Sequence, residues 1–201
     1  MMATTHALAG VAVASLVALG APEQVDVALA AAFVGGLFPD LDLYAGHRKT
    51  LHFPVYYWPF ALAAGALAIV STGPATVALA CFLLAAALHS TMDVFGGGLE
   101  LRPWLATSER AVYDHFAGQW RRPRRWVRYD GAPEDALLGA LLAVPPLLVA
   151  GAPLRWLIGA TVCLSVGYAL VRRRVPAVTE HLVGFVPATM TEYVPERFVE
   201  G

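Results

Sequence analysis

The sequence predicts an all-α protein, a polytopic membrane helix bundle of about six apolar helices in three hairpins. Three observations lead there. Hydrophobic residues make up 58% of the 201 positions and charged residues only 14%, below the quarter or so typical of soluble domains. Six apolar stretches are joined alternately by short breaker-rich turns and by longer polar segments. The arginines are gathered into a few of those polar segments. Length and turn spacing argue for one membrane-embedded domain over residues 1–175, with a polar loop at 94–134 and a tail at 176–201.

The apolar stretches run from Ala7 to Leu19, Val25 to Phe38, Phe53 to Val70, Ala75 to Leu88, Ala136 to Ala150 and Leu154 to Val171. Gly20-Ala21-Pro22, Ser71-Thr72-Gly73-Pro74 and Gly151-Ala152-Pro153 are the tight turns inside the three pairs, built from residues that stop a helix and reverse the chain. The first two stretches hold about 14 residues each, against the roughly 20 needed to cross a bilayer. Gly35 and Gly36 with Ala30, Ala31 and Ala32 make the second of them thin, suited to close packing inside a bundle. The polar loop interleaves Trp104, Trp120 and Trp126 with charges, a pattern expected of an interfacial helix or lid on the membrane surface. Pro176, Pro187 and Pro195 break up the tail, which is read as a cytoplasmic extension.

Basic loops stay on the cytoplasmic side. Arg48, Lys49, Arg102, Arg110, the cluster Arg121, Arg122, Arg124, Arg125 and Arg128, the triplet Arg172 to Arg174, and Arg197 all fall on one side of the hairpin scheme; only Arg155 falls on the other. The expectation is a multi-pass protein of the cell membrane with both termini and both large loops in the cytoplasm. Membrane lipids are the expected partners, their anionic headgroups facing the arginines. Nucleic acid is not expected, because no recognition motif accompanies the basic residues. No Lys or Arg precedes the first apolar stretch, so it does not read as a cleaved signal. Cys81 and Cys163 sit among Ala, Leu and Val, where a thiol acts as a small hydrophobe rather than half of a disulfide.

The chemistry gathers at the ends of the apolar stretches. His6, Asp40, His52, His89 and Asp93 all lie at such ends, and the hairpin alternation returns them to one level. His89 and Asp93 are four apart at the end of a helix, so both side chains lie on one face where a cation can bridge them. A lone histidine on an apolar helix is ordinarily a hydrogen-bonded core residue. Asp40 and Asp42 end another helix, however, and ionisable groups at membrane depth are costly unless paired or functional. His47 and Arg48 precede His52 in a short polar turn, with Asp42 and His47 as reserve ligands. Three imidazoles and two carboxylates without thiolate favour zinc, with manganese or iron as alternatives. Such a divalent metal lowers the pKa of coordinated water and polarises a phosphoryl or carbonyl oxygen, which makes hydrolysis the natural chemistry. The sequence has no Gly-rich phosphate loop, Gly-x-Ser-x-Gly elbow or Cys-x-x-Cys pair to support another mechanism.

Thr5-His6 with Gly10, then Pro39-Asp40-Leu41-Asp42, then His47-Arg48 leading to His52, then His89 with Asp93, resembles the membrane-bound metal-dependent hydrolases, also described as LexA-binding, inner-membrane-associated hydrolases. The match spans roughly residues 4 to 95. More distantly the motifs are similar to zinc-dependent phospholipase C proteins. The resemblance implies metal-ligand roles for His6, Asp40, His52, His89 and Asp93. In the hydrolase reading Asp42 orients a ligand or takes a proton, and Arg48 or the later arginines bind the phosphate of a lipid or other phosphoester substrate. The alternative is a non-enzymatic multi-pass membrane protein with a structural metal site, or an ion transporter. Transport needs ionisable groups at mid-membrane or on both faces, and here they gather on one.

Overall fold

The computed structural model describes residues 1–187. The architecture is all-α apart from one small β-hairpin. The helices are α1 (Ala3–Ala14), α2 (Val25–Leu37), α3 (Tyr57–Val70), α4 (Pro74–Met92), α5 (Pro133–Val149), α6 (Ala152–Val171) and the short α7 (Val175–Val183). The outer part of the predicted tail, with Pro195 and Arg197, lies outside the described residues.

Helices α1, α2 and α4 form the centre, each packed on the other two. Helix α3 lies against α4, and α5 lies between α1 and α6. The shared core holds Leu8 and Val11 of α1, Leu29 of α2, Ala85 of α4 and Ile158 of α6. Small residues set the close approach at the centre. A Cβ on Gly35 would sit 2.2 Å from the carbonyl oxygen of Phe82 in α4, and one on Gly36 would sit 2.7 Å from the Cα of Ala7 in α1. The obstacles are backbone atoms, which cannot swing aside as a long side chain can.

The six-span expectation is overturned by helix length and composition. Among the described residues, three helical runs are long and apolar enough to cross a membrane: Pro22–Leu43, Pro74–Phe95 and Ala152–Val183. Ala3–Leu19 and Tyr57–Val70 are shorter apolar helices. At 1.5 Å per residue the 14 residues of α3 cover about 21 Å, short of a hydrocarbon core about 30 Å thick. Its apolar stretch is longer than its helix because Pro54 disfavours helical backbone at Phe53, and helix begins only at Tyr57. The second stretch changes in the opposite sense, since 3-10 turns at Pro22–Gln24 and Phe38–Tyr44 extend α2 at both ends. Helix α5 opens on Glu134 and Asp135 and carries Pro145 and Pro146 within it. Phe60, Leu62 and Ile69 of α3, and Trp156, Leu164 and Leu170 of α6, are exposed on the outside of the bundle. Apolar surface of that extent is unusual on a soluble monomer and suits contact with lipid.

The polar loop also departs from expectation, because the described residues 94–132 contain no interfacial α-helix. Strands β1 (Val112–Asp114) and β2 (Gln119–Arg121) pair antiparallel, with Tyr113 opposite Trp120. Those two rings meet edge to face at 5.6 Å, so Trp120 serves a cross-strand pair rather than the lipid surface. Asp114 closes the turn by accepting the amides of Phe116 and Ala117 and the guanidinium of Arg121. Trp126 is 71% exposed. Backbone bonds from Arg124, Arg125 and Val127 to the carbonyls of Val94, Gly96 and Phe95 fold the rest of the loop over the end of α4.

Gly35→Ala is expected to destabilise the protein by about 1–3 kcal/mol through overpacking. Gly65→Ala, where a Cβ meets nothing within 4 Å, should leave the unfolding midpoint in detergent unchanged or raise it.

Candidate metal centre

The five predicted ligand residues meet at one end of the bundle. His6 comes from the second turn of α1, Asp40 from the 3-10 turn after α2, His52 from the link into α3, His89 from the last turn of α4, and Asp93 from the residue capping α4. His6, His52, His89 and Asp93 are at most 1% exposed. Asp40 retains 24% of its side-chain exposure and forms the open side of the group.

Two histidines are oriented by what their outer nitrogens touch. His52 Nδ1 lies 2.9 Å from Asp42 Oδ2, and His89 Nδ1 lies 2.6 Å from the carbonyl oxygen of Gly36. A carbonyl and a carboxylate only accept, so each Nδ1 carries a proton, and in the neutral ring each Nε2 is the nitrogen able to bind a metal. These Nε2 atoms face each other at 3.2 Å. Around them stand Asp93 Oδ2, 3.3 Å from His52 and 3.6 Å from His89, and Asp40 Oδ1, 3.4 Å from His89 and 3.7 Å from His52. Asp93 Oδ2 is buried without a hydrogen-bond donor. Two imidazole Nε2 atoms and two carboxylate oxygens directed inward attract positive charge, whether a proton on the imidazoles or a metal cation. Four ligands placed tetrahedrally at roughly 2.0–2.1 Å from zinc are about 3.3–3.4 Å apart, and the five separations that involve His52 or His89 run from 3.2 to 3.7 Å. The donor set therefore fits a divalent ion.

The remaining contacts hold this arrangement in place. Asp42 accepts from His52, from the amides of Leu51 and Arg48, and from His47 at 3.1 Å. It is 1% exposed, and both its oxygens are occupied in fixing the turn that delivers His52. Burial alone would lower the pKa of His52, but the carboxylates of Asp42 and Asp93 outweigh it and raise that pKa above the usual histidine value. The field that stabilises a proton there also stabilises a cation. Arg48 sits at positive φ, 59°, and donates from one guanidinium nitrogen to the carbonyls of Gly97 and Ala111. Its other terminal nitrogen lies 3.4 Å from Asp93 Oδ1. Strand β1 clamps the same turn, since Tyr113 donates its amide to the carbonyl of Arg48. His6 Nε2 is 3.0 Å from Asp93 Oδ1.

By distance alone two triplets can hold an ion, His6 with His89 and Asp93, and Asp40 with His52 and His89. His115 stays outside the group, its Nε2 bonded to the carbonyl of Lys49 at 2.7 Å. The Gly36 carbonyl was not legible as a partner of His89, because the Gly35-Gly36 pair signals only close packing and a backbone acceptor leaves no mark of its own. His47 proves closer to the site than a solvated turn would place it, 3.9 Å from Asp40 Oδ1.

A cavity of about 490 Å³ adjoins the open side. Asp40, His47 and Arg48 line it where it meets the ligand group, and Leu43, Leu101 and Leu164 are among its apolar walls.

Asp42→Asn removes the carboxylate that holds His52 without touching a proposed ligand. Metal affinity, read by competition with a chromophoric chelator, should fall about 10- to 100-fold, while His115→Ala should leave it unchanged. No family model, no curated protein and no solved structure matches this chain.

Proposed function

We propose that the chain is a membrane-bound, metal-dependent hydrolase acting on a phosphoester, most naturally that of a lipid or lipid-type molecule. The observation that carries this reading is the pair of imidazole Nε2 atoms facing each other at 3.2 Å between two carboxylates, beside a cavity of substrate size. An entirely structural clamp needs no such cavity. The divalent ion, zinc by the nitrogen and oxygen donors, supplies Lewis acidity toward a phosphoryl or carbonyl oxygen. The chain's own groups supply the rest. Asp42 keeps the His52 ring turned inward, and Arg48 places a fixed positive charge between the ligand group and the cavity, where it favours an anionic phosphoryl group. The cavity's polar end and apolar walls suit an amphiphile. The three candidate membrane spans support a location where such molecules are found. The resemblance of residues 4 to 95 to the membrane-bound metal-dependent hydrolases supports the same reading.

Purified protein loaded with zinc or manganese is expected to cleave a phospholipid or a model phosphodiester. His89→Ala and Asp93→Ala should each reduce cleavage to background in protein that remains folded. Cleavage that persists in both variants sinks the assignment.

A second reading rests on the burial of the site. His52, His89 and Asp93 are essentially inaccessible, and together with Asp40 they tie α2 to α4 through the intervening turn. An ion there would stabilise the fold because it binds only the folded state. In that case chelation lowers the unfolding midpoint in detergent, and no substrate in a phosphoester and carboxylester screen is turned over.

A further inference from the structure

The stacking of His6 on His89 bears on how many ions the centre takes, an inference that rests on the metal reading above. The two rings are 3.8 Å apart between centroids and inclined by only 20°. An imidazole binds a metal along its in-plane lone pair. For rings stacked so nearly parallel, the planes do not meet within bonding distance of the nitrogens. An ion lying in the plane of His89 therefore lies well off the plane of His6. The pair His52 and His89 behaves differently, for those rings cross at 72° with centroids 5.0 Å apart, and their Nε2 lone pairs converge. The distances permit His6, His89 and Asp93 to share an ion, but the ring orientations do not.

Nor does the far side of Asp93 have room for a second cation. Its Oδ1 already faces His6 Nε2 at 3.0 Å, the Arg48 guanidinium at 3.4 Å and the Met1 nitrogen at 3.4 Å. A second ion there would have to displace the guanidinium, which is fixed from behind by two backbone carbonyls. Asp93 is thus divided between two tasks. One oxygen is surrounded by donors, and the other is buried without one, turned toward His52 and His89.

We infer that the centre is mononuclear, with Asp40, His52, His89 and Asp93 as its protein ligands, and that His6 is a positioning residue that donates Nε2–H to Asp93 Oδ1 and fixes that carboxylate to bind through Oδ2. This removes His6 from the ligand set that the sequence motif implies and gives the chain one ion where five ligand residues suggest room for two.

The test uses the full chain in detergent, loaded with zinc and, separately, with cobalt(II). Elemental analysis of the wild type should give one ion per chain. The cobalt form should show the visible absorption of a four- or five-coordinate site, the fifth position being open to water or substrate, and two exchangeable, strongly shifted imidazole N–H proton resonances, from His52 and His89. His6→Gln, whose amide can still donate to the carboxylate, should keep one ion and the same visible spectrum, with affinity lowered by no more than about 100-fold. His52→Ala should lose the ion. Two ions per chain, a third shifted N–H resonance, or loss of the ion in folded His6→Gln to the extent seen in His52→Ala each overturn the inference while leaving a metal centre in place. Absence of any ion from the wild type overturns the metal reading itself. Should His6→Gln fail to fold, the ion count and the number of shifted resonances in the wild type still decide the question.

Discussion

Four hydrogen-bond acceptors turned toward one buried point are the constraint on which this structure depends. Two imidazole nitrogens and two carboxylate oxygens repel one another and lose their water on burial, which is costly. The arrangement is tenable only with positive charge among them. Part of that charge is built in, for Arg48 stands beside Asp93 with its guanidinium held by the carbonyls of Gly97 and Ala111. The centre of the cluster is able to hold a cation.

Everything around the cluster serves to hold side chains that would otherwise turn away. Gly35 and Gly36 let α2 touch the backbones of α4 and α1. That contact brings the Gly36 carbonyl to His89. The turn between Asp42 and His52 is closed on the Asp42 carboxylate through two backbone amides and two imidazoles. The β-hairpin grips the turn from outside through the carbonyl of Arg48, a residue in left-handed conformation. The polar loop thus acts as a support for the ligand turn, and Tyr113 and Trp120 are the aromatic pair of its hairpin.

The membrane character is carried unequally by the helices. Three runs have the length and apolarity to cross a bilayer, while α1 and α3 are short and α5 is interrupted by prolines and opens on acids. Their outer residues are nevertheless apolar. The short helices bring the ligand residues to the end of the longer ones.

Much of the site was legible from residue type and position. A histidine or aspartate at the end of an apolar helix has few reasons to be there, and the i, i+4 spacing of His89 and Asp93 follows from helix geometry alone. The helical nature of the six apolar stretches was legible for the same reason. Their lengths were not, because hydropathy marks where a chain is apolar and not where backbone hydrogen bonding begins and ends. Pro54 shortened one helix and 3-10 turns lengthened another. The sequence by itself determined an α-helical, lipid-compatible chain with imidazoles and carboxylates at its helix ends. Only the tertiary structure decided which nitrogen of each histidine faces inward, that His6 stacks on His89 instead of converging with it, and that Asp42 supports rather than joins the cluster. Those outcomes depend on ring orientation and on partners distant in the chain, which residue spacing does not encode.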